Sequence, residues 1–137
     1  MYAPEQRRIV LNQAISIIKD RPEGFFCISG DDQLTMGMIA CGGDGVISVI
    51  ANAFPSEFSG MVNAALNGDF KTAKRFNDQL WDIHPLLYVE GNPVGIKAAM
   101  EIMGLCKNEF RLPLVPMSYP NHLKLKKEIE KAHIPVQ

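Results

Sequence analysis

Residues 25–51 read FFCISGDDQLTMGMIACGGDGVISVIA, and the fold turns on how they are parsed. Phe25-Phe26-Cys27-Ile28 is a short apolar run closed by Ser29-Gly30-Asp31-Asp32, which predicts a buried strand over 25–29. Asp31 or Asp32 then caps a helix over Gln33–Cys41, because a carboxylate there accepts the orphan backbone N–H groups of the first turn. Gly42-Gly43-Asp44-Gly45 breaks that helix and turns the chain. Val46-Ile47-Ser48-Val49-Ile50, β-branched at four of five positions, predicts a second strand over 46–51. Strand, short helix and strand make a βαβ unit, and such units build parallel sheets covered on both faces.

The flanking sequence is helical. Leu11, Ala14, Ile15 and Ile18 recur at i, i+3, i+4, i+7 and predict an amphipathic helix near 5–20, closed by Arg21-Pro22 and Gly24. Pro55 opens a helix to about Leu66, ended by Asn67-Gly68. Asp69 caps a longer one expected from Phe70 to about Val89. Asn92-Pro93 starts another that Gly104 stops. Arg111-Leu112-Pro113-Leu114-Val115-Pro116 is extended, since its prolines cannot continue a helix. Asn121 is the expected cap of a last helix to about His133, with a lysine- and glutamate-rich solvated face. The expected organisation is α/β and mostly helical, with strands confined to residues 1–68 and a helical region over 69–137.

Composition excludes several classes. Fourteen basic against fifteen acidic residues give a net charge of −1, so nothing favours nucleic acid, whose phosphates select clustered Lys and Arg. No apolar run reaches the roughly 18 residues that span a bilayer, so no membrane partner is expected. Cys27, Cys41 and Cys106 are odd in number and sit in apolar surroundings, which points to reduced, buried thiols in a cytoplasmic protein. His84, His122 and His133 are scattered without ligand spacing, so no metal and no cofactor is expected. Gly42-Gly43-Asp44-Gly45 lacks the Lys-Ser/Thr of a phosphate loop and precedes a strand. Met36, Met38, Met100 and Met103 read as core.

The segments ISGDD, GGDGVISVIANAFP, NGDFKTAKRFNDQLWDIHPLLYVEGNPVGIKAAMEIMGL and FRLPLVPMS resemble, in this order, the C-terminal part of the dihydrodipicolinate synthase family. The likeness runs from about Leu11 to about Ala132. The NP-x-x-x-K and R-L-P-L-x-P segments favour the synthase branch over the related N-acetylneuraminate lyases. The resemblance implies a (β/α)8 (TIM) barrel with added C-terminal helices, condensing pyruvate with aspartate semialdehyde through a Schiff base on a lysine of strand six. It makes Phe25–Ser29 strand seven, Val46–Ala51 strand eight, and the remainder the closing helix and helical extension.

Such a barrel needs at least roughly 200 residues, so 137 residues correspond to a partial one. The Schiff-base lysine is expected just before Leu11, where MYAPEQRRIV holds none, and the family's proton-relay and carboxylate-binding residues lie further upstream. No catalytic residue is therefore expected within this sequence. Gly95-Ile96-Lys97 repeats the tripeptide around that lysine, but it falls in a Pro-started helix and reads as solvated or ion-paired. The resemblance places Ile47 on the pyruvate pocket wall, and Ser29, Gly30 and Asp31 on the face where the second substrate approaches. As residues alone, Ile47 is equally a core position, Asp31 and Asp32 are helix caps, and His84 is a hydrogen-bonded structural histidine.

Two strands do not complete a sheet. Their unpaired edges and an apolar patch above roughly 400 Å² are expected to meet another chain. Three functions follow: part of a lyase of lysine biosynthesis completed by a complementary N-terminal fragment, a non-catalytic module that self-associates as a homo-oligomer, or a truncated reading frame. A pyruvate-type substrate is expected only for a completed barrel.

Overall fold

The computed structural model describes residues 4–134; residues 1–3 and 135–137, at the ends of the expected ranges 1–68 and 69–137, lie outside them. The described elements are α1 (Pro4–Asp20), β1 (Ile28–Ser29), α2 (Thr35–Ala40), β2 (Gly45–Val46), α3 (Pro55–Leu66), α4 (Phe70–Leu80), α5 (Val94–Ile102) and α6 (Tyr119–Lys131), with 3-10 turns at Ile50–Asn52 and His84–Leu87. The chain is α/β and mostly helical, and β1 and β2 form a two-stranded parallel sheet.

The expected strands are present but shorter. Ile28 pairs with Gly45 and Ser29 with Val46, and backbone bonds extend the pairing by one residue each way, from Asp44 N–H to Cys27 O (3.0 Å) and from Ile47 N–H to Ser29 O (2.9 Å). Phe25 and Phe26 stay outside the ladder, and the run expected as strand to Ala51 curls into the 3-10 turn at Ile50–Asn52. β-branching alone does not hold a strand extended: with no neighbour on the far side, only residues facing a partner gain ladder bonds.

Helix ends also moved where side chains found other work. α4 stops at Leu80, not near Val89, because Pro85 has no N–H to give and disfavours helix at the residue before it. The apolar spacing survives the break: Leu80, Ile83 and Leu87 are all buried. The helix expected over 33–41 is regular only over Thr35–Ala40. α6 begins two residues before Asn121, with Pro120 in its first turn. Asn121 is not the cap. Its amide donates to Glu90, which also accepts the Ser118 N–H (3.0 Å) and hydroxyl. Asp69 does cap α4, accepting the Thr72 N–H at 3.0 Å.

One core runs through both expected ranges. Phe54, Phe58 and Met61 around α3 join Leu80, Ile83 and Leu87, and then Leu125 and Ile129 of α6, all essentially inaccessible. Each such side chain contributes about 1.5–3 kcal/mol on burial. Met38 and Met103 are buried, and Met36 and Met100 pack partly buried against the same core. α1 is held less: Ala14 is buried, but Ile15 of the expected stripe is exposed together with Ile17. Gly95 of α5 packs so tightly on the 3-10 turn that a Cβ would lie 2.2 Å from the Leu87 carbonyl oxygen. None of the described helices is long and apolar enough to cross a membrane.

Candidate functional site

The parallel register divides the small sheet into two unlike faces. Side chains alternate along a strand, so the pairing of Ile28 with Gly45 puts Ile28 and Ile47 on one face, and Ser29 and Val46 on the other. Ser29 is 1% exposed, and Val46 packs partly buried against the core. Ile47 is 80% and Phe26 72% exposed. Ile28 and Ile47 thus share the open face, and Phe26 is exposed just before the strand.

The loop beyond β1 is fixed by its own polar groups. The Ser29 hydroxyl donates to the Asp31 carbonyl at 2.9 Å and receives the Asp31 N–H at 3.2 Å. Thr35 Oγ1, fully buried, lies 2.9 Å from the same carbonyl and 3.2 Å from Ser29 Oγ. Asp31 Oδ1 accepts the N–H groups of Gln33 and Leu34, the short-range capping turn expected of an Asp before a helix. Asp32 does something else. Its buried carboxylate reaches across the sheet, and Oδ2 accepts the N–H groups of Val49 (3.0 Å) and Ile50 (2.9 Å). Its Oδ1 is buried without a hydrogen-bond donor among the described residues.

At the opposite end of the strands, Asp44 accepts the Cys27 N–H at 2.7 Å and pairs with Arg21. The Cys27 N–H, and beside it the Arg21 guanidinium, hold the Asp44 carboxyl below its usual range against the opposing effect of burial. The Gly42-Gly43-Asp44-Gly45 turn is therefore a clasp between α1 and β2. Gly42 takes φ +96°, a conformation that favours glycine.

Ser29, Gly30 and Asp31 come together on the wall of a cleft of about 860 Å³ between α1 and the β1 loop, which Gln13, Ile17, Asp32 and Tyr88 also line. Ile47 is not on that wall; it stands on the open sheet face. Burial, and then the charges of Asp32 and Asp31, push the Tyr88 phenol up to about 12, so it is a neutral donor at ordinary pH and no base. His84 is buried, edge-on to Phe58 with ring centroids 6.3 Å apart, and it also touches the cleft. Lys97 Nζ donates to the Glu109 carbonyl and lies 4.8 Å from the centre of the Phe110 ring. Both contacts engage the amine outside the cleft that Ser29, Gly30 and Asp31 line. Among the described residues no cluster of three His, Cys, Asp or Glu side chains could hold a metal. The three cysteines are unpaired and half-buried, not fully buried as expected.

Sequence reasoning did not anticipate Asp32 as a cross-sheet tie, Asp44 as a clasp, or Glu90 as the anchor of α6. The only local signal was the doubled Asp31-Asp32: one carboxylate suffices to cap a short helix, which leaves the second for another task.

The description "Dihydrodipicolinate synthetase family" fits a family model matching residues 8–132. The chain is 43% identical over 119 residues to the 4-hydroxy-tetrahydrodipicolinate synthase of Azobacteroides pseudotrichonymphae, covering 87% of this chain and 40% of that protein. It is 50% identical over 106 residues to the synthase of Phocaeicola vulgatus, covering 77% and 36%. The crystal structure of dihydrodipicolinate synthase from Aquifex aeolicus superposes with a TM-score of 0.85 at 40% identity, over 93% of this chain and 43% of that one. The chain therefore spans about 40% of the length of the relatives it matches. On this likeness in sequence and in structure, the chain belongs to the dihydrodipicolinate synthetase family.

Proposed function

We propose that this chain forms the C-terminal portion of a 4-hydroxy-tetrahydrodipicolinate synthase, a cytoplasmic lyase that condenses pyruvate with aspartate semialdehyde in lysine biosynthesis, and that residues 1–137 do not catalyse the reaction alone. The observation that carries the reading is the two-stranded parallel sheet with Ile28 and Ile47 exposed on one face. In a (β/α)8 barrel the inward-facing side chains fill the interior, and the active site lies at the C-terminal ends of the strands. β1 and β2 take the places of strands seven and eight, residues 1–68 the closing barrel segment, and 69–137 the helical extension. Ile47 then forms part of the pyruvate pocket wall, and Ser29, Gly30 and Asp31 form the lip where the second substrate approaches. The amine that captures the keto acid belongs to strand six, beyond the part matched by Leu11 onward.

Lys97 does not replace that amine, since it is engaged by the Glu109 carbonyl and the Phe110 ring and is not among the residues lining the cleft. Turnover of the two substrates distinguishes the outcomes. The purified chain shows none, and the chain fused behind the unmatched portion of the Aquifex aeolicus relative turns them over. Activity of the chain alone, or a folded but inactive fusion, contradicts the proposal. The bare sheet face also favours a second reading, a non-catalytic homo-oligomer that buries Phe26 and Ile47 against a second copy. Sedimentation then gives a dimer that Phe26→Lys disperses.

A further inference from the structure

The wall shared by Ser29, Gly30 and Asp31 also carries a residue from the helical region, Tyr88. Tyr88 ends the 3-10 turn at His84–Leu87, and that turn is a firm support. Leu87 is inaccessible and Gly95 packs tightly on its carbonyl. The Tyr88 N–H donates to Pro85 O (3.2 Å), and the Tyr88 carbonyl accepts the Gly91 N–H (3.0 Å). The side chain still keeps 37% of its surface exposed. Its phenol feels the charges of Asp32 and Asp31, so it stands toward the C-terminal end of β1, the end where barrel enzymes hold their substrates.

The loop beside it spends its donors largely on itself. The Ser29 and Thr35 hydroxyls lie against the Asp31 carbonyl, and the N–H groups of Asp31, Gln33 and Leu34 go to Ser29 Oγ and Asp31 Oδ1. An aldehyde substrate brings oxygen acceptors and needs a donor. With its pKa raised to about 12, the Tyr88 phenol stays protonated at ordinary pH and is such a donor.

We propose that the Tyr88 hydroxyl donates a hydrogen bond to an oxygen of the aldehyde substrate, so that the helical region takes part in selecting the second substrate. The inference rests on the synthase reading and deepens it by adding a specificity-determining residue. Pyruvate is not affected, because Ile47 stands on the other side of the sheet from this wall.

The test uses the chain fused behind the unmatched portion of the Aquifex aeolicus synthase and compares it with Tyr88→Phe, which keeps the ring and removes the hydroxyl. The variant is expected to raise KM for aspartate semialdehyde about three- to tenfold, the loss of one neutral hydrogen bond. Its kcat and its KM for pyruvate stay within about twofold, as for a contact made equally in ground and transition states. Val89→Ala, at the exposed neighbour outside the cleft lining, changes none of the three. An active fusion in which Tyr88→Phe leaves the aldehyde KM unchanged, or raises both KM values alike, overturns the inference and spares the synthase reading. A folded but inactive fusion contradicts the synthase reading, and calorimetric titration with aspartate semialdehyde then decides the role of Tyr88. Weaker binding by Tyr88→Phe sustains it, and equal or absent binding overturns it.

Discussion

Asp32 Oδ2 accepts the backbone N–H of Ile50 from 2.9 Å, across eighteen residues of sequence, and that of Val49 from 3.0 Å. One carboxylate thereby ties the loop after β1 to the 3-10 turn after β2. The ladder between the strands is only a few bonds long, so this tie sets how the strand ends sit relative to each other. Removing it leaves one buried N–H group, that of Ile50, and one part-buried, that of Val49, without acceptors, a cost of about 1–3 kcal/mol for the buried one and less for the other. Asp32→Ala is expected to lower stability by about 2–4 kcal/mol in urea denaturation, and Asp32→Asn, which keeps one acceptor oxygen, by clearly less. Equal losses for both would assign the effect to charge and not to acceptance.

Acid should loosen three ties together. The Cys27 N–H and Arg21 lower the Asp44 carboxyl, Thr72 lowers Asp69, and Ser118 with Asn121 lowers Glu90, from ordinary values of 3.8, 3.8 and 4.5. A carboxyl whose folded pKa is depressed contributes stability that is complete above its unfolded value and is lost as pH falls through the folded one. The melting temperature is therefore expected to hold flat down to about pH 5 and to fall below about pH 4.5. Glu90→Gln is expected to shrink that fall and to lower the plateau. A melting temperature that rises on acidification contradicts the assignment.

Gly95 has no room for a methyl group. Its Cβ would stand 2.2 Å from Leu87 O and 2.5 Å from Leu87 C, backbone that cannot rotate away. Gly95→Ala is expected to cost about 3 kcal/mol by forcing α5 off the His84–Leu87 turn. Gly30→Ala meets nothing within 4 Å, and thermal melts are expected to show a change below about 0.5 kcal/mol. The pair tests the packing of the helical region against the openness of the candidate site.

Lys97 is a fastener between α5 and the extended segment after it. Its contacts with the Glu109 carbonyl and the Phe110 ring predict that Lys97→Met frees that segment. Hydrogen exchange near residues 109–111 should accelerate, with a stability loss of about 1 kcal/mol. Unchanged exchange there would argue that the lysine is merely solvated.

The βαβ unit was legible because Gly and Asp punctuation bounded two apolar runs, and α3 and α5 because proline and glycine marked their ends. Strand length was not legible, since it depends on neighbours that no local pattern encodes. The break at Pro85 was written in the sequence, but the continuing period of Leu80, Ile83 and Leu87 masked it. Capping chemistry misled at Asn121 for a related reason: a side chain suited to a cap serves equally to bind a distant carboxylate, and only the fold brings Glu90 to it. Ser29, Gly30 and Asp31 were found together on one wall, whereas the role of Asp32 required knowing that Ile50 stood opposite.

Borohydride trapping with pyruvate, read by intact mass, tests the central claim most directly. The account predicts an unchanged mass for residues 1–137 alone and, in the covalent fusion behind the unmatched portion of the Aquifex aeolicus relative, one reduced adduct carried wholly by that added portion. A pyruvate adduct on this chain, on Lys97 or any other lysine, would contradict it.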